Sequence, residues 1–198
     1  VMMTAPYLAQ FGGPKLVSAV QTANGALAHA LAVMRDPTKA SPALRVAMAQ
    51  AARDGITEPQ EIHQLRAESA ASVLGKNLAA RKALFAWGAI YSLTEQFNRG
   101  TSFLAALRIA NGMTAEQRAE HGIGNAYDFA KKVVAETQFI YNRANRPEIM
   151  RGLGSVALQF KQFAISYVEL AARLYKSDKK AFAFMMLALF AAAGLEGL

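Results

Sequence analysis

The sequence contains no cysteine. Disulfides, thiolate nucleophiles and cysteine-ligated zinc are therefore excluded. The compartment stays open, because a secreted helical protein can also lack cysteine. Charge is scarce too: 18 % of residues are Asp, Glu, Lys or Arg, against ~25 % in soluble domains. That shortfall argues for surface buried against a partner or a bilayer. There are six prolines and fourteen glycines in 198 residues, and no β-branched run alternates with polar residues. No strand is expected anywhere. The three histidines, His29, His63 and His121, stand far apart, and none has a ligand partner three or four residues away as a metal site would need. Glu116 and Glu120 lie one turn apart, but Arg118 stands between them and no second half-site is evident. No phosphate loop, glycine-rich nucleotide fingerprint or nucleophile elbow is present. The sequence offers no catalytic residue, no cofactor and no metal ligand, and points to no small-molecule substrate. It reads as a non-enzyme.

What the sequence has is helix-forming residues at helical spacing. Hydrophobic residues make up 53 %, and alanine, the best helix former, dominates them. The expected fold class is all-α: a multi-helix bundle or elongated helical array ending in an apolar helical hairpin. Apolar residues 1–11 finish a first helix, broken at Gly12-Gly13-Pro14. A helix follows from Pro14 to Met34, with Leu16, Val20, Leu27, Leu31 and Met34 as its apolar positions, closed by Asp36-Pro37. Ser41-Pro42 reads as an N-cap with proline at the first helical position, and that short helix stops at Gly55. Thr57-Glu58-Pro59 opens another, carrying Ile62, Leu65, Ser69 and Val73.

A long helix is expected near 77–110, with Asn98-Arg99-Gly100-Thr101 as the kink candidate. It completes an N-terminal region, 1–112. The C-terminal region, 113–198, starts with a turn or two from Thr114 to Glu120. His121-Gly122-Ile123-Gly124 reads as a flexible connector, and Asn125 as the cap of a helix carrying Tyr127, Val133, Val134, Phe139 and Ile140. A break at Asn145-Arg146-Pro147 leads to a helix from Ser155 to Lys176. Ser177-Asp178 then caps the last helix, which runs to Leu195. Val1-Met2-Met3 is not a natural start, no signal peptide is visible, and the chain stops just after an apolar segment. Both ends look cut, so the chain reads as part of a larger protein.

Three segments could carry function. The first is Ala181–Leu195, fifteen residues without a polar side chain, preceded by Lys176, Lys179 and Lys180. At ~1.5 Å per residue it covers roughly 22 Å, short of the ~30 Å hydrocarbon core. Burial in a protein core or oligomer interface is the favoured reading, and membrane seating helped by the lysines is the second. Its candidate contact residues are Phe182, Phe184, Met185, Leu187, Leu189 and Phe190. The second is a polar stripe on the preceding helix: Gln159, Gln162, Ser166, Glu169, Arg173 and Lys176, spaced like a heptad. In a bundle such a stripe faces water, and in a ring of subunits it would line an aqueous channel; the bundle is favoured. The third is Arg143, Arg146 and Arg151, whose guanidinium forks suit phosphate. Glu148 partly offsets them and no aromatic platform is interleaved, so helix capping and ion pairing are favoured there. The net charge of +8 is spread evenly over both halves and permits contact with DNA or anionic lipid.

A resemblance emerges from the order of several short segments. Glu95-Gln96-Phe97-Asn98-Arg99 is followed by Thr101-Ser102-Phe103-Leu104-Ala105-Ala106, then by Thr137-Gln138-Phe139-Ile140-Tyr141. Asn145-Arg146-Pro147-Glu148-Ile149-Met150-Arg151-Gly152, Gln159-Phe160-Lys161-Gln162-Phe163 and Ala192-Ala193-Gly194-Leu195-Glu196-Gly197-Leu198 complete the set. Together these resemble the C-terminal region of phage and prophage large polyvalent proteins of the PLxRFG type, and similar segments occur in internal virion proteins of short-tailed phages. The resemblance covers most of the chain, best from about Arg53 onward. It implies a giant protein carried in the virion interior and ejected with the genome to form a conduit across the host envelope. It supplies no catalytic residues. The leading expectation is a non-enzymatic, oligomerising segment of such a protein, whose partners are its own copies or other virion proteins. Two alternatives stand beside it: a nucleic-acid-associated module delivered with phage DNA, and a scaffold domain within a large polyprotein.

Overall fold

Helix ends show most directly how local sequence sets local structure. A computed structural model describes residues 3–58, 78–138 and 168–193, with side chains for 3–58, 92–138 and 168–189. Helix α1 (Thr4–Leu8) passes into a 3-10 turn at Ala9–Phe11, and α2 covers Leu16–Arg35. Helix α3 (Pro42–Arg53) starts with Ser41 in extended geometry, its hydroxyl accepting the Leu44 N–H at 3.3 Å. Proline at the next position lacks only an N–H that would have no partner there. The long helix α4 is Leu78–Gly112, and α5 is Ala115–Glu120. Thr114 and Gln117 cap α5 reciprocally, each side chain accepting the other's backbone N–H. Asn125 caps α6 (Ala126–Thr137) by accepting the Asp128 N–H at 2.7 Å. Helix α7, described over 168–177, and α8 (Lys179–Ala193) are separated by Asp178 alone. Its carboxylate accepts the N–H groups of Lys180 and Ala181 at 2.9 and 3.3 Å.

Two helix ends share one device. After α3, the Gly55 N–H reaches the Ala52 carbonyl and the Ile56 N–H reaches Ala51. After α5, Gly122 and Ile123 repeat the pattern onto Ala119 and Arg118. Both glycines have positive φ, +69° and +64°, and both isoleucines are buried. This is the Schellman arrangement, in which an apolar residue after the glycine folds back onto the helix. The stretch 121–124, expected to be a flexible connector, is therefore a built turn with Ile123 anchored in the core.

Helix α4 is the axis of the fold. Every residue from Arg99 to Leu107 is buried, so this part of the helix is enclosed all round rather than amphipathic. It packs against α2 and against α6. At ~1.5 Å per residue its 35 residues span roughly 52 Å. The helix continues unbroken through Asn98–Thr101, the expected kink. Gly100 has a packing use there: a Cβ on it would come within 2.8 Å of the Met34 side chain.

Helix α2 buries an unexpected face. Its inward residues are Ala19, Ala23, Ala26, Ala30 and Val33, not the larger aliphatics picked out by sequence spacing. Leu16 is exposed, and Val20, Leu27, Leu31 and Met34 are partly covered. A stripe of alanines lets two helix backbones approach closely, which bulkier residues would prevent. The start of α2 shows the same tightness. A Cβ on Gly12 would lie 2.6 Å from the Ala19 Cα, so the incoming chain crosses over the first turn of α2. Lys15 stays extended as the N-cap and Pro14 lies outside the helix, not at its first position. Length and composition alone would let α2 cross a membrane. Its outward residues include Gln21, Thr22 and Asn24, which suit water better than lipid.

One core cluster draws residues from Leu8 to Val134 and so joins both sides of residue 112. The fold class is all-α, with no strand among the described residues. The helix expected to open at Thr57-Glu58-Pro59 lies almost wholly outside the described residues, as do Phe139, Ile140, the break at 145–147 and most of the helix expected over 155–176.

Candidate functional site

The terminal apolar helix rests on the chain's own N-terminus. Helix α8 packs against α1, the 3-10 turn and the start of α2. Ala181 and Met185, one turn apart, are buried with Leu170 and Leu174 of α7 and Met3 in a second, small cluster. Phe182 and Met186 pack at its edge, and Phe184 reaches the main core. The Tyr175 and Phe182 rings meet edge-on, with centroids 5.2 Å apart. Lys180 ties the start of α8 down by donating to the Gly13 and Pro14 carbonyls, both at 3.1 Å. The outer side has less cover: Leu187 is 60 % exposed, while Leu189 is partly covered. Of the five candidate contact residues whose side chains are described, Met185 is therefore enclosed within this chain and Leu187 is the most open. The side chain of Phe190 lies outside those described.

The polar stripe is half visible. Glu169, Arg173 and Lys176 are exposed on α7, while Leu170 and Leu174 next to them are buried. Arg173 is engaged within the chain, pairing with Glu136 of α6 at 2.5 Å. Beside them stands Tyr7, whose phenol is pushed up to about 12 by burial first, then by the Glu136 carboxylate, with Arg173 opposing. Gln159, Gln162 and Ser166, and the cluster Arg143, Arg146 and Arg151, lie outside the described residues.

Sequence spacing gave no sign that Thr4 and Ser102 would meet. Thr4 and Ser102 are fully buried, and their hydroxyls lie 2.7 Å apart. Ser102 also donates to the Asn98 carbonyl at 2.9 Å, and the Gln138 amide donates to Ser102 at 2.9 Å. This junction joins α1, α4 and the end of α6, elements far apart in sequence. Arg99 of α4 is buried as well and pairs with Glu95 at 2.8 Å. The Glu-to-Arg spacing of four was a readable sign of that pair, whereas nothing local announces the junction.

A third feature is an open cleft of about 340 Å³ between α2 and the end of α4. Its floor is Phe11, Ala26, Ile109 and Met113, with Arg108 and Gln117 among its polar lining. Across the same helix pair lies His29, whose Nδ1 is buried without a hydrogen-bond partner. Desolvation first, and the Arg108 charge second, hold this imidazole below its ordinary pKa. Among the described residues no three His, Asp or Glu side chains gather to hold a metal ion. Comparison with family models, curated proteins and solved structures found no match to this chain.

Proposed function

We propose that this chain is a non-enzymatic, oligomerising helical segment of a phage internal virion or ejection protein, carried inside the virion and acting at the host envelope during genome delivery. The observation that carries the reading is the state of α8. This helix is apolar throughout after Lys180, yet its own chain covers it mainly along the Ala181–Met185 line and leaves Leu187 open. Such a surface is stable where a sister subunit or another virion protein completes it. In the assembled state α8 and the apolar helix before it act as a hairpin docked on protein, with lipid contact during delivery. The succession of short sequence segments from Glu95 to Leu198 supports the phage setting, because together they resemble large polyvalent and internal virion proteins.

Solution size measurement over a range of concentrations tests this reading, together with liposome flotation. Concentration-dependent self-association is the expected result. A stable monomer that also ignores liposomes would overturn it. Salt-sensitive binding to duplex DNA by such a monomer would instead point to a nucleic-acid-associated module.

A further inference from the structure

We infer that the corner where α2 begins, α7 ends and α8 begins is a contact surface for anionic lipid headgroups. The inference deepens the envelope reading and rests on it, but places the lipid contact away from the apolar line of α8.

The corner is held together by Lys180, whose ammonium bonds the carbonyls of Gly13 and Pro14 at 3.1 Å. Those carbonyls lie immediately before Lys15 and α2. The same bonds thus bring Lys15 and the first residues of α2 to the start of α8, and only Ser177 and Asp178 separate Lys179 from Tyr175 and Lys176 at the end of α7. Pro14, Leu16, Val17 and Tyr175 are all exposed, Val17 at 68 % and Tyr175 at 56 %. Around them Lys15, Lys176 and Lys179 are exposed and make no ion pair among the described residues. The local acid, Asp178, caps α8 and faces Lys180 at 3.9 Å, so it does not neutralise those three. Glu169 lies two turns further up α7.

The chemistry is specific to an interface. Exposed aliphatics want to leave water, an exposed tyrosine suits the headgroup level, and unpaired lysines attract anionic lipid. A sister copy would have to bring acidic groups to three free lysines, and this chain is basic. A bare polyanion would leave Leu16 and Val17 without apolar contact. A bilayer surface satisfies both halves of the corner at once.

Vesicle co-sedimentation of the whole chain tests this, with phosphatidylglycerol vesicles against phosphatidylcholine vesicles. Binding to the first and not the second is expected, weakening as salt rises. Replacing the corner lysines together (K15Q, K176Q, K179Q) should weaken binding on the order of a hundredfold. Replacing three exposed lysines elsewhere (K39Q, K131Q, K132Q) removes the same charge and should leave most of the binding. Val17→Ser should weaken it further at unchanged salt dependence, and circular dichroism checks that each variant is folded. Equal losses in the two lysine variants would overturn the corner in favour of diffuse charge. Binding to duplex DNA without binding to vesicles would overturn it as well. A chain that self-associates but ignores phosphatidylglycerol vesicles removes the corner while the assembly reading stands.

Discussion

The middle and the C-terminal end of the described chain are built differently. Around α4, helices enclose a stretch in which every residue from Arg99 to Leu107 is buried. At the C-terminal end, α7 and α8 bury one line each, Leu170 and Leu174 against Ala181 and Met185. The first region completes its own core, and small residues make this feasible. Ala19, Ala23, Ala26 and Ala30 form the buried face of α2, which packs against α4, so much backbone is covered by few large side chains. The second region carries larger residues, Phe182, Phe184, Met186 and Leu187, arranged round a helix that α7 and the N-terminal segment support along one side. A helix that is apolar all round needs cover on all sides. The contrast separates a core that closes on itself from a helix left partly open.

Core truncation should widen the contrast most. Phe103→Ala removes a fully buried ring from α4 and should destabilise the chain by about 3–5 kcal/mol, read as a fall in the urea midpoint. Leu174→Ala in the smaller cluster should cost at the low end of roughly 2–5 kcal/mol. Its main signature should be faster hydrogen exchange over 168–193, with α4 still protected. A uniform rise in exchange across α4 would instead make the two regions one cooperative unit and erase the distinction.

The polar junction tests how firmly the N-terminal segment joins them. Ser102→Ala leaves the buried Thr4 hydroxyl and the Gln138 amide without their shared partner. The expected loss is about 1–3 kcal/mol. Because α1 also supports α8, the substitution should raise exchange in α8 as well as at Thr4–Leu8. Asp178→Ala removes the cap of α8 and should cost about 1 kcal/mol, confined to that helix.

The smallest effect is a pH dependence. Burial holds the His29 imidazole below its ordinary pKa of 6.5, and Arg108 adds to the shift. The folded state therefore binds fewer protons than the unfolded state as pH falls below 6.5, and stability drops there. The contribution is fully present above that pH and is lost as pH falls through the folded pKa. His29→Gln should flatten this part of the midpoint-against-pH curve and leave the alkaline side unchanged. Tyr7, pushed up to about 12, shapes the alkaline side instead: stability should fall as pH rises from 10 toward 12.

Much of the secondary structure was legible because its signals are local. Ser41 before Pro42, Asn125 before its helix and Asp178 between two helices each act within a few residues on backbone N–H groups. Gly55 and Gly112 close their helices as read. The buried Glu95–Arg99 pair lay one turn apart in plain sight, yet its burial follows from helices packed all round it. Where the local reading failed, tertiary packing had overruled it. Spacing favoured Leu16, Val20 and Leu27 as the inner face of α2, because large aliphatics have the most to gain from burial. Close backbone approach chose the alanines, a decision that needs the partner helix.

By itself, then, the sequence determined an all-helical chain without disulfides, most of its caps, and a terminal helix with no polar side for water. Only the tertiary structure decided what lies against that helix. It set α8 on α1 and the 3-10 turn, joined Thr4 to Ser102 and Gln138, paired Arg173 with Glu136, and drew the lysine corner together through Lys180. These are contacts between residues as many as 167 positions apart. Capping and helical period act over one or two turns, and neither carries information over such a distance.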